Sequence, residues 1–388
     1  MKKKIVLAIV ALVLYIVCPS LRAQTGGRLV LVHADSARGF LHEGRMVREL
    51  TGNVVFQQDS SHMYCHQARQ FVDEAYVHFS GAVRIITPPR QLLADEIYHY
   101  EQRREQVARG HARLIDLVRT LDAESLHYYE VQDRAVAAGH AVLHDRDEWV
   151  TLRGRLIEYK RSAGYADVQG QPVFVRQDTS AHDSLVIRSR IMEMFDDGKR
   201  IQARDSVTLV QGTMSAQCGL LSYLRAQEKI TLALQPRAQR DQDRMRGVEI
   251  DLLLKDRTLT GMQIRGQAMV MTRVDTLLSA EMMHDFLSGE ELYVGVRDNQ
   301  VDSVYVKGRA TSYYHFFDEK KYLGINKLLG DEIGMGFRDG KVQRVTVTST
   351  PATSNGIFYP RRQQSALVTE LNELLAQFQR GAAAPQQQ

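Results

Sequence analysis

The residues able to do chemistry are scattered along the chain, and few have the spacing that a reaction or a metal ion requires. His62, Cys65 and His66 invite a zinc interpretation. However, strand residues at odd separations face opposite sides, and the sequence offers no fourth ligand. The sequence has no Gly-x-Ser-x-Gly elbow, no His-Glu-x-x-His pair and no Gly-Lys-Ser/Thr phosphate loop. Acids recur singly rather than as an acid and base pair. We therefore predict no enzyme, no metal and no cofactor.

The charge balance argues against a polyanion partner. The 388 residues include 50 Lys+Arg and 46 Asp+Glu, a formal charge of +4. Lys2, Lys3, Lys4 and Arg22 account for this excess, because residues 1–23 contain no acid. A neutral remainder disfavours binding to nucleic acid through bulk charge. With 44% hydrophobic and 25% charged residues, the chain can bury a large core.

The N-terminal segment has the features of an export signal. Lys2–Lys4 form a basic region and Ile5–Val17 an uninterrupted apolar run, too short to span a bilayer comfortably. The residues before Cys18 lack the small side chain that a lipidation site needs next to the cysteine. We expect cleavage after Ala23, no lipid on Cys18 and a periplasmic protein.

A repeat of about 30 residues organises the rest of the chain. Most units carry a glycine anchor, and two degenerate anchors fill the longest gap: Gly52, Gly81, Gly110, Gly139, Gly170, Asp205, Leu234, Gly266 and Gly308. Positions two before, two after and four after the anchor are apolar except at Ser312, whereas the position directly after it is mostly polar. This alternation predicts a β-strand at each anchor with one buried face.

Each unit holds a second strand. About 13 residues after an anchor comes a small residue, usually followed by an acid, as in Ala94-Asp95 and Ala280-Glu281. Cys65 and Cys218 occupy the same slot several units apart, so we expect buried free thiols rather than a disulfide. Two strands per unit without a helix between them pair antiparallel. Glycine at an inward-facing strand position suits a bend or close approach of two layers, or leaves room for a ligand.

One apolar face per strand must be covered by another layer. About ten units predict an all-β fold, an elongated antiparallel β-jellyroll or two-sheet stack, with ten strands per sheet spanning roughly 50 Å. We expect this single domain over residues 28–360. An amphipathic helix is predicted over 361–380, as a packed cap or a partner-docking element, and a disordered tail over 381–388. The helix prediction rests on Leu367, Leu371, Leu374, Leu375 and Phe378.

These motifs resemble the OstA-like, LptA-type family of lipopolysaccharide-transport periplasmic proteins. The resemblance rests on Leu50-Thr51-Gly52-Asn53 and its apolar strand, on Ala94-Asp95-Glu96-Ile97-Tyr98 and on the opening segment Val30–Ser36. It covers most of residues 28 to 360. It implies a non-catalytic β-jellyroll whose interior shields lipid A acyl chains of lipopolysaccharide during transport to the outer membrane, with which it could associate. It also implies other jellyroll proteins as partners at open sheet edges, or head-to-tail self-association.

The inward apolar columns are the predicted lipid-binding site, because burying each CH₂ contributes about 0.8 kcal/mol. The residues expected to contact acyl chains are Leu50, Val54, Phe56, Phe79, Val83, Ile85, Leu114, Leu143 and Phe174.

Two other classes of protein share the alternating pattern. An outer-membrane β-barrel predicts strands of about 9–11 residues and aromatic girdles, whereas this chain has one tryptophan, Trp149. Fractionation separates this hypothesis, since a barrel would be recovered only from detergent-extracted membranes. An extracellular β-solenoid that binds carbohydrate predicts acids or aromatics clustered on one outer face, and the outward column is chemically mixed.

Overall fold

The strands follow one another along the chain with short turns between them. The computed structural model describes residues 27–177, 184–274, 284–318, 321–338, 341–350 and 354–380. The predicted signal segment 1–23 with Cys18, the Ala280-Glu281 pair and the tail 381–388 lie outside the described residues.

The described residues form an all-β fold with one short C-terminal α-helix, which confirms the predicted fold class. The strands are β1 (Val30–His33), β2 (Ser36–His42), β3 (Arg45–Gln58), β4 (Ser61–Phe71), β5 (Tyr76–Thr87), β6 (Arg90–Tyr100), β7 (Glu105–Asp116), β8 (Arg119–Tyr129), β9 (Arg134–Asp145), β10 (Val150–Lys160), β11 (Tyr165–Gln169), β12 (Val173–Arg176), β13 (Leu185–Arg188), β14 (Ile191–Phe195), β15 (Arg200–Gln211), β16 (Met214–Leu224), β17 (Lys229–Ala233), β18 (Arg237–Arg240), β19 (Asp243–Arg246), β20 (Glu249–Lys255), β21 (Thr258–Arg273), β22 (His284–Arg297), β23 (Gln300–Asp318), β24 (Lys321–Arg338), β25 (Lys341–Thr348) and β26 (Asn355–Pro360). Short 3₁₀ turns cover Arg161–Ala163, Asp196–Gly198, Arg225–Gln227 and Arg361–Leu367, and helix α1 spans Val368–Arg380.

Each anchor is a corner at which the chain leaves one layer and enters the other. In β3 the pairing with β4 shifts between Thr51 and Val54, because Gly52 and Asn53 both have positive φ, 76° and 46°. Two such residues in succession form a bulge that bends the strand. The same pair of positive φ angles occurs at every predicted anchor, including Asp205-Ser206 and Leu234-Gln235. The anchors therefore share one backbone geometry even where glycine is missing.

The segments on either side of the corners form two facing layers. The upper layer contains the segments that follow the anchors, such as Val54–Gln58, and runs from β1 to β26. The lower layer contains the segments that precede them, such as Val47–Thr51, and runs from β2 to β25. All pairings among the described strands are antiparallel.

The stack is about twice as long as predicted. Each layer has twenty strand segments among the described residues, because every unit contributes two strands and most strands cross both layers. At about 4.8 Å per strand, each layer extends roughly 90 Å. The prediction of ten strands per sheet was wrong because it assigned each strand to a single layer.

A continuous apolar core lies between the layers, and a second cluster lies outside them. The main core runs from Leu29 to Met335. The second cluster forms where Leu367 and Leu371 cover Met269 and Met271 on the outer face of the upper layer. Helix α1 thus packs on the chain's own sheet, and Lys327 Nζ donates to Glu370 Oε1 at 2.6 Å. No helix in the described part of the chain is long and apolar enough to cross a membrane.

Candidate functional site

All nine residues predicted to contact lipid lie in the interior. Their exposed fractions run from 0% to 7%, and each belongs to the main core. Leu50 and Phe79 line the lower layer, whereas Val54, Phe56 and Ile85 line the upper layer. The structure therefore places these side chains on facing surfaces of one interior. Their contact with lipid stays a prediction.

The interior is densely packed where aromatic side chains of the two layers meet. Phe56 of the upper layer meets Phe79 of the lower layer edge to face, with ring centroids 5.6 Å apart. Phe174 and Tyr223 repeat this contact at 6.4 Å. Two apolar faces close on each other because dispersion contacts and water exclusion both favour dense packing. At these positions the interior is therefore filled by the chain's own side chains.

The recurring acids of the second strands stabilise the corners. Asp95 packs directly against Gly110, where an added Cβ would lie 2.9 Å from the Asp95 Cβ. Its Oδ2 also accepts a hydrogen bond from His111 Nδ1 at 2.9 Å. Asp35 does the same at the first corner, accepting from Asn53 Nδ2 at 3.0 Å. These acids are exposed, and each one contacts its own corner.

The glycines therefore face a neighbouring side chain at the corner, not a space for ligand. The prediction of a bend is confirmed by the positive φ of Gly110, 71°. The prediction that the glycine points inward was wrong, because two successive positive-φ residues interrupt the alternation of the strand. Cys65 and Cys218 each pair with the residue that lies two positions past a corner, Val54 and Val207 respectively. Both are free and buried, and burial raises the pKa of each thiol to about 12.

The opposite side of the stack is held together by side chains alone. Here the hairpin tips of the two layers meet, and we call this line of contacts the seam. Arg104 of the lower layer donates to Asp59 Oδ2 of the upper layer at 3.2 Å. One unit further on, Arg90 of the upper layer donates to Asp133 Oδ1 of the lower layer at 2.8 Å. The arginine thus comes from either layer, and an acid of the facing layer accepts.

The seam continues along the stack through larger polar clusters. Arg119 of the upper layer donates to Tyr159 Oη at 3.0 Å and to the Asp197 carbonyl at 2.9 Å, both in the lower layer. Glu148 in the turn after β9 lies between Arg225 and Arg257 of two lower-layer turns. No sequence pattern indicates these pairs, because their members lie in turns far apart in the chain.

One seam contact is uncharged and buried. The side chains of Gln58 and His99 lie 2.8 Å apart, with the imidazole N–H donating to the amide oxygen. Burial lowers the pKa of His99 to about 4. The imidazole is therefore neutral over the physiological range and adds no charge to the closed interior.

Near the C-terminal end the layers form a partly open cavity of about 550 Å³. Its apolar walls come from both layers: Met245, Val270, Leu287, Val294, Val304 and Met335. Arg240 lies at its polar edge and crosses the seam, where Nη2 donates to the Asn299 carbonyl at 2.6 Å. Asp243 and Asp285 also line the cavity, and burial raises the pKa of both carboxyls. The layers are thus less tightly closed here than at Phe56.

The outer face of the lower layer carries an aromatic ladder that the repeat pattern did not indicate. Phe71 stacks on Tyr76 with centroids 4.5 Å apart, and His78 stacks on Tyr98 at 4.3 Å. Arg134 covers the ring of Tyr129 at 4.0 Å. The outward column is therefore more aromatic than its mixed composition indicated. Because neighbouring rings and arginines cover these ring faces, the ladder offers little free aromatic surface for stacking on a sugar.

No metal centre emerges from the histidines and acids. Among the described ranges, no group of three or more His, Cys, Asp or Glu side chains could hold a metal ion. Cys65 faces the core, and His62 stacks beside Tyr64 with ring centroids 6.5 Å apart.

The two facing layers and their apolar interior define a β-jellyroll repeat protein. Within that class, residues 27–163 match the family described as OstA-like protein. The resemblance based on the repeat motifs is thereby confirmed for this segment.

Among solved structures, the chain is similar to that of LptH from Pseudomonas aeruginosa, described as the LptA homologous periplasmic component of the conserved lipopolysaccharide transport device. The match covers 30% of this chain and 82% of LptH, with 14% sequence identity and a TM-score of 0.28. No curated protein matches the chain.

Proposed function

We propose that the protein is a non-catalytic periplasmic carrier or bridge that shields the acyl chains of lipopolysaccharide between its two layers on the way to the outer membrane. The observation that carries this proposal is the continuous apolar core from Leu29 to Met335, in a chain whose residues 27–163 match the OstA-like family. Each CH₂ withdrawn from water contributes about 0.8 kcal/mol. Several acyl chains therefore supply a large driving force without any chemical step.

Acyl chains would replace contacts that the two layers now make with each other. The Phe56–Phe79 contact shows that the closed layers already exclude water. Binding therefore exchanges one set of apolar contacts for another, and its net free energy is smaller than the transfer free energy of the chains alone. A modest net affinity suits a carrier, because the cargo must also leave.

The sheet edges at the two ends are the proposed partner sites. Within the described residues, β1 and β2 pair on one side only, with β3, and β25 and β26 pair on one side only, with β24. Val30 and Val32 are exposed at the first edge, and Phe358 at the last. Edge strands with one unpaired side and apolar side chains accept an added strand. The edges therefore fit a second jellyroll protein or another copy of this chain.

The test is photo-crosslinking in the living cell. A benzophenone amino acid replaces Phe56 or Ile85 in the interior, and Asn53 at an exposed corner serves as the matched control. We expect lipopolysaccharide adducts at the two interior positions and none at Asn53. Equal labelling at all three positions would contradict the assignment of the interior. Absence of adducts at every position, in protein that folds and is exported, would refute the cargo.

A further inference from the structure

The outer face of the upper layer carries a groove of about 680 Å³ beside the C-terminal end of helix α1. Leu375 and Phe378 of the helix form one wall, and residues of β15, β16, β18 and β19 form most of the floor. The upper-layer segments of these strands pair with a neighbour on both sides. A ligand in this groove therefore meets side chains and finds no free backbone edge to extend.

The charge that lines the groove has one sign. Arg237, Arg244 and His284 line it, and no Asp or Glu among the described residues does. Arg246 lies in the next strand, directly opposite Arg237. Across the described ranges, none of these three arginines forms an ion pair with a carboxylate, whereas Arg104 at the seam contacts two acids. The groove therefore lacks the negative charge that would complement it.

Arg246 gives an independent indication that an anion belongs here. It is 5% exposed, and its Nε and Nη1 are buried without a hydrogen-bond partner in the part of the chain that the structure describes. Phe378, which lines the groove, covers the guanidinium with its ring centroid 5.5 Å from Cζ. Burial and the neighbouring Arg237 lower the pKa of Arg246. Buried N–H groups normally donate to an acceptor, and an anion is the acceptor that best suits a guanidinium.

Apolar side chains stand next to these arginines. Met271 and Val210 line the groove together with Leu375 and Phe378. Val210 is 40% exposed, and the two helix residues are half-buried. Covering this surface with an acyl chain withdraws it from water, which is favourable. The volume of the groove is typical of sites that hold one small molecule.

We propose that this outer groove binds an anionic phospholipid, with the phosphate beside Arg237, Arg244 and Arg246 and part of an acyl chain against Leu375 and Phe378. Guanidinium groups hold phosphate through paired N–H donors, which gives the arginines their role. The groove lies on the opposite face of the sheet from the apolar interior. The inference therefore goes beyond the proposed function and does not depend on the cargo between the layers.

An acidic peptide would supply negative charge as well, but the groove suits it less. A peptide that binds a sheet gains much of its affinity from main-chain hydrogen bonds at an unpaired edge. The strands beneath the groove are paired on both sides. A phospholipid needs no such edge, and it uses the apolar walls together with the arginines.

Arg244→Gln is the variant that tests the site. Arg244 is exposed, whereas Arg237 donates to the Gln379 carbonyl at 2.9 Å and so also holds the end of the helix. Arg153→Gln is the matched control, because Arg153 is exposed on the outer face of the same layer, in β10. Both variants lose one positive charge, so a difference between them reports the groove rather than the net charge. Urea unfolding checks that both fold.

The probe is dihexanoyl phosphatidylglycerol, a soluble short-chain phospholipid, and calorimetric titration of the full chain measures its affinity. We expect Arg244→Gln to weaken binding at least about ten-fold, the effect of losing a hydrogen bond to a charged group. Arg153→Gln should bind like the unaltered protein. Glycerol phosphate, which has the same anionic group without acyl chains, should bind at least about ten-fold more weakly, because it leaves the apolar walls uncovered.

Each other result would overturn the inference. Equal affinity of the two variants would place the probe elsewhere, for example in the interior. Equal affinity for glycerol phosphate and the lipid would show a site for free phosphate. Tighter binding of polyglutamate, lost in Arg244→Gln, would show a site for an acidic polypeptide. Absence of phosphatidylglycerol binding would refute the inference outright. The proposed function would still stand in all four cases, because crosslinking at Phe56 and Ile85 tests it separately.

Discussion

The close approach at the corners leads to a sharp prediction for Gly110→Ala. Gly110 has a φ of 71°, a conformation that costs an L-residue roughly 1–2 kcal/mol. The new Cβ would also lie 2.9 Å from the Asp95 Cβ, a separation that a rotation of the Asp95 side chain cannot relieve. Shifting the neighbouring strand adds about 1–2 kcal/mol. We expect Gly110→Ala to lower the free energy of unfolding by about 2–4 kcal/mol.

Gly44→Ala provides the matched control. Gly44 has a similar φ of 78°, but a Cβ added there would meet no atom within 4 Å. This variant should be destabilised only by the conformational cost of roughly 1–2 kcal/mol. In an Asp95→Gly background, the destabilisation caused by Gly110→Ala should fall to the same value, because the clashing Cβ of Asp95 is gone. The coupling free energy of this cycle isolates the close approach from backbone strain.

Urea unfolding of the exported, folded protein, followed by circular dichroism, measures all four variants. The expected order of destabilisation is Gly110→Ala above Gly44→Ala, with a coupling of at least about 1 kcal/mol between Gly110 and Asp95. Equal losses for Gly44→Ala and Gly110→Ala, with no coupling to Asp95, would refute the close packing of Asp95 on the corner.

Three further predictions concern the interior, the seam and the helix. Ile85→Asp should destabilise the protein by several kcal/mol because it buries an unpaired carboxylate. Arg84→Asp, at the exposed neighbouring position, should change the melting temperature little. Equal melting temperatures for the two variants would contradict this prediction. Because burial lowers the pKa of His99 to about 4 from its ordinary 6.5, the unfolded chain binds more protons between these values. The free energy of unfolding should therefore fall as the pH drops from about 6.5 to about 4, by up to about 1.4 kcal/mol per pH unit. A His99→Gln variant whose free energy of unfolding falls with the same slope would argue against this prediction. Leu371→Ala should expose helix α1 to amide exchange at a cost of about 2–5 kcal/mol, and Glu373→Ala should not; protection that survives in both would show that the helix docks by other contacts.

The repeat predicts the positions of the corners but not the number of strands in each layer. The period located every corner, even Asp205 and Leu234, because the alternation of apolar residues on either side continues through them. It did not reveal that one strand serves both layers. That property follows from two successive positive-φ residues, and the sequence shows only the glycine of the pair as unusual. The number of strands per layer was therefore underestimated.

The sequence predicted which residues line the candidate site but not how they pack against each other. Inward columns such as Phe56 and Ile85 follow from period-two alternation, which depends only on local strand geometry. Whether the two inner faces touch depends on how sharply the strands bend at the corners, and no local pattern reports that angle. The contact between Phe56 and Phe79 therefore emerged only from the folded chain.

The sequence by itself determined which residues turn inward, where the strands bend and which segment forms the terminal helix, because each of these follows from the order of neighbouring side chains. The tertiary structure decided how the interior is closed. Arg90 and Asp133 are 43 residues apart, and Arg119 and Asp197 are 78 apart, in turns that share no period. Such pairs form only after the layers have stacked in register, since stacking alone brings their hairpin tips together along the seam.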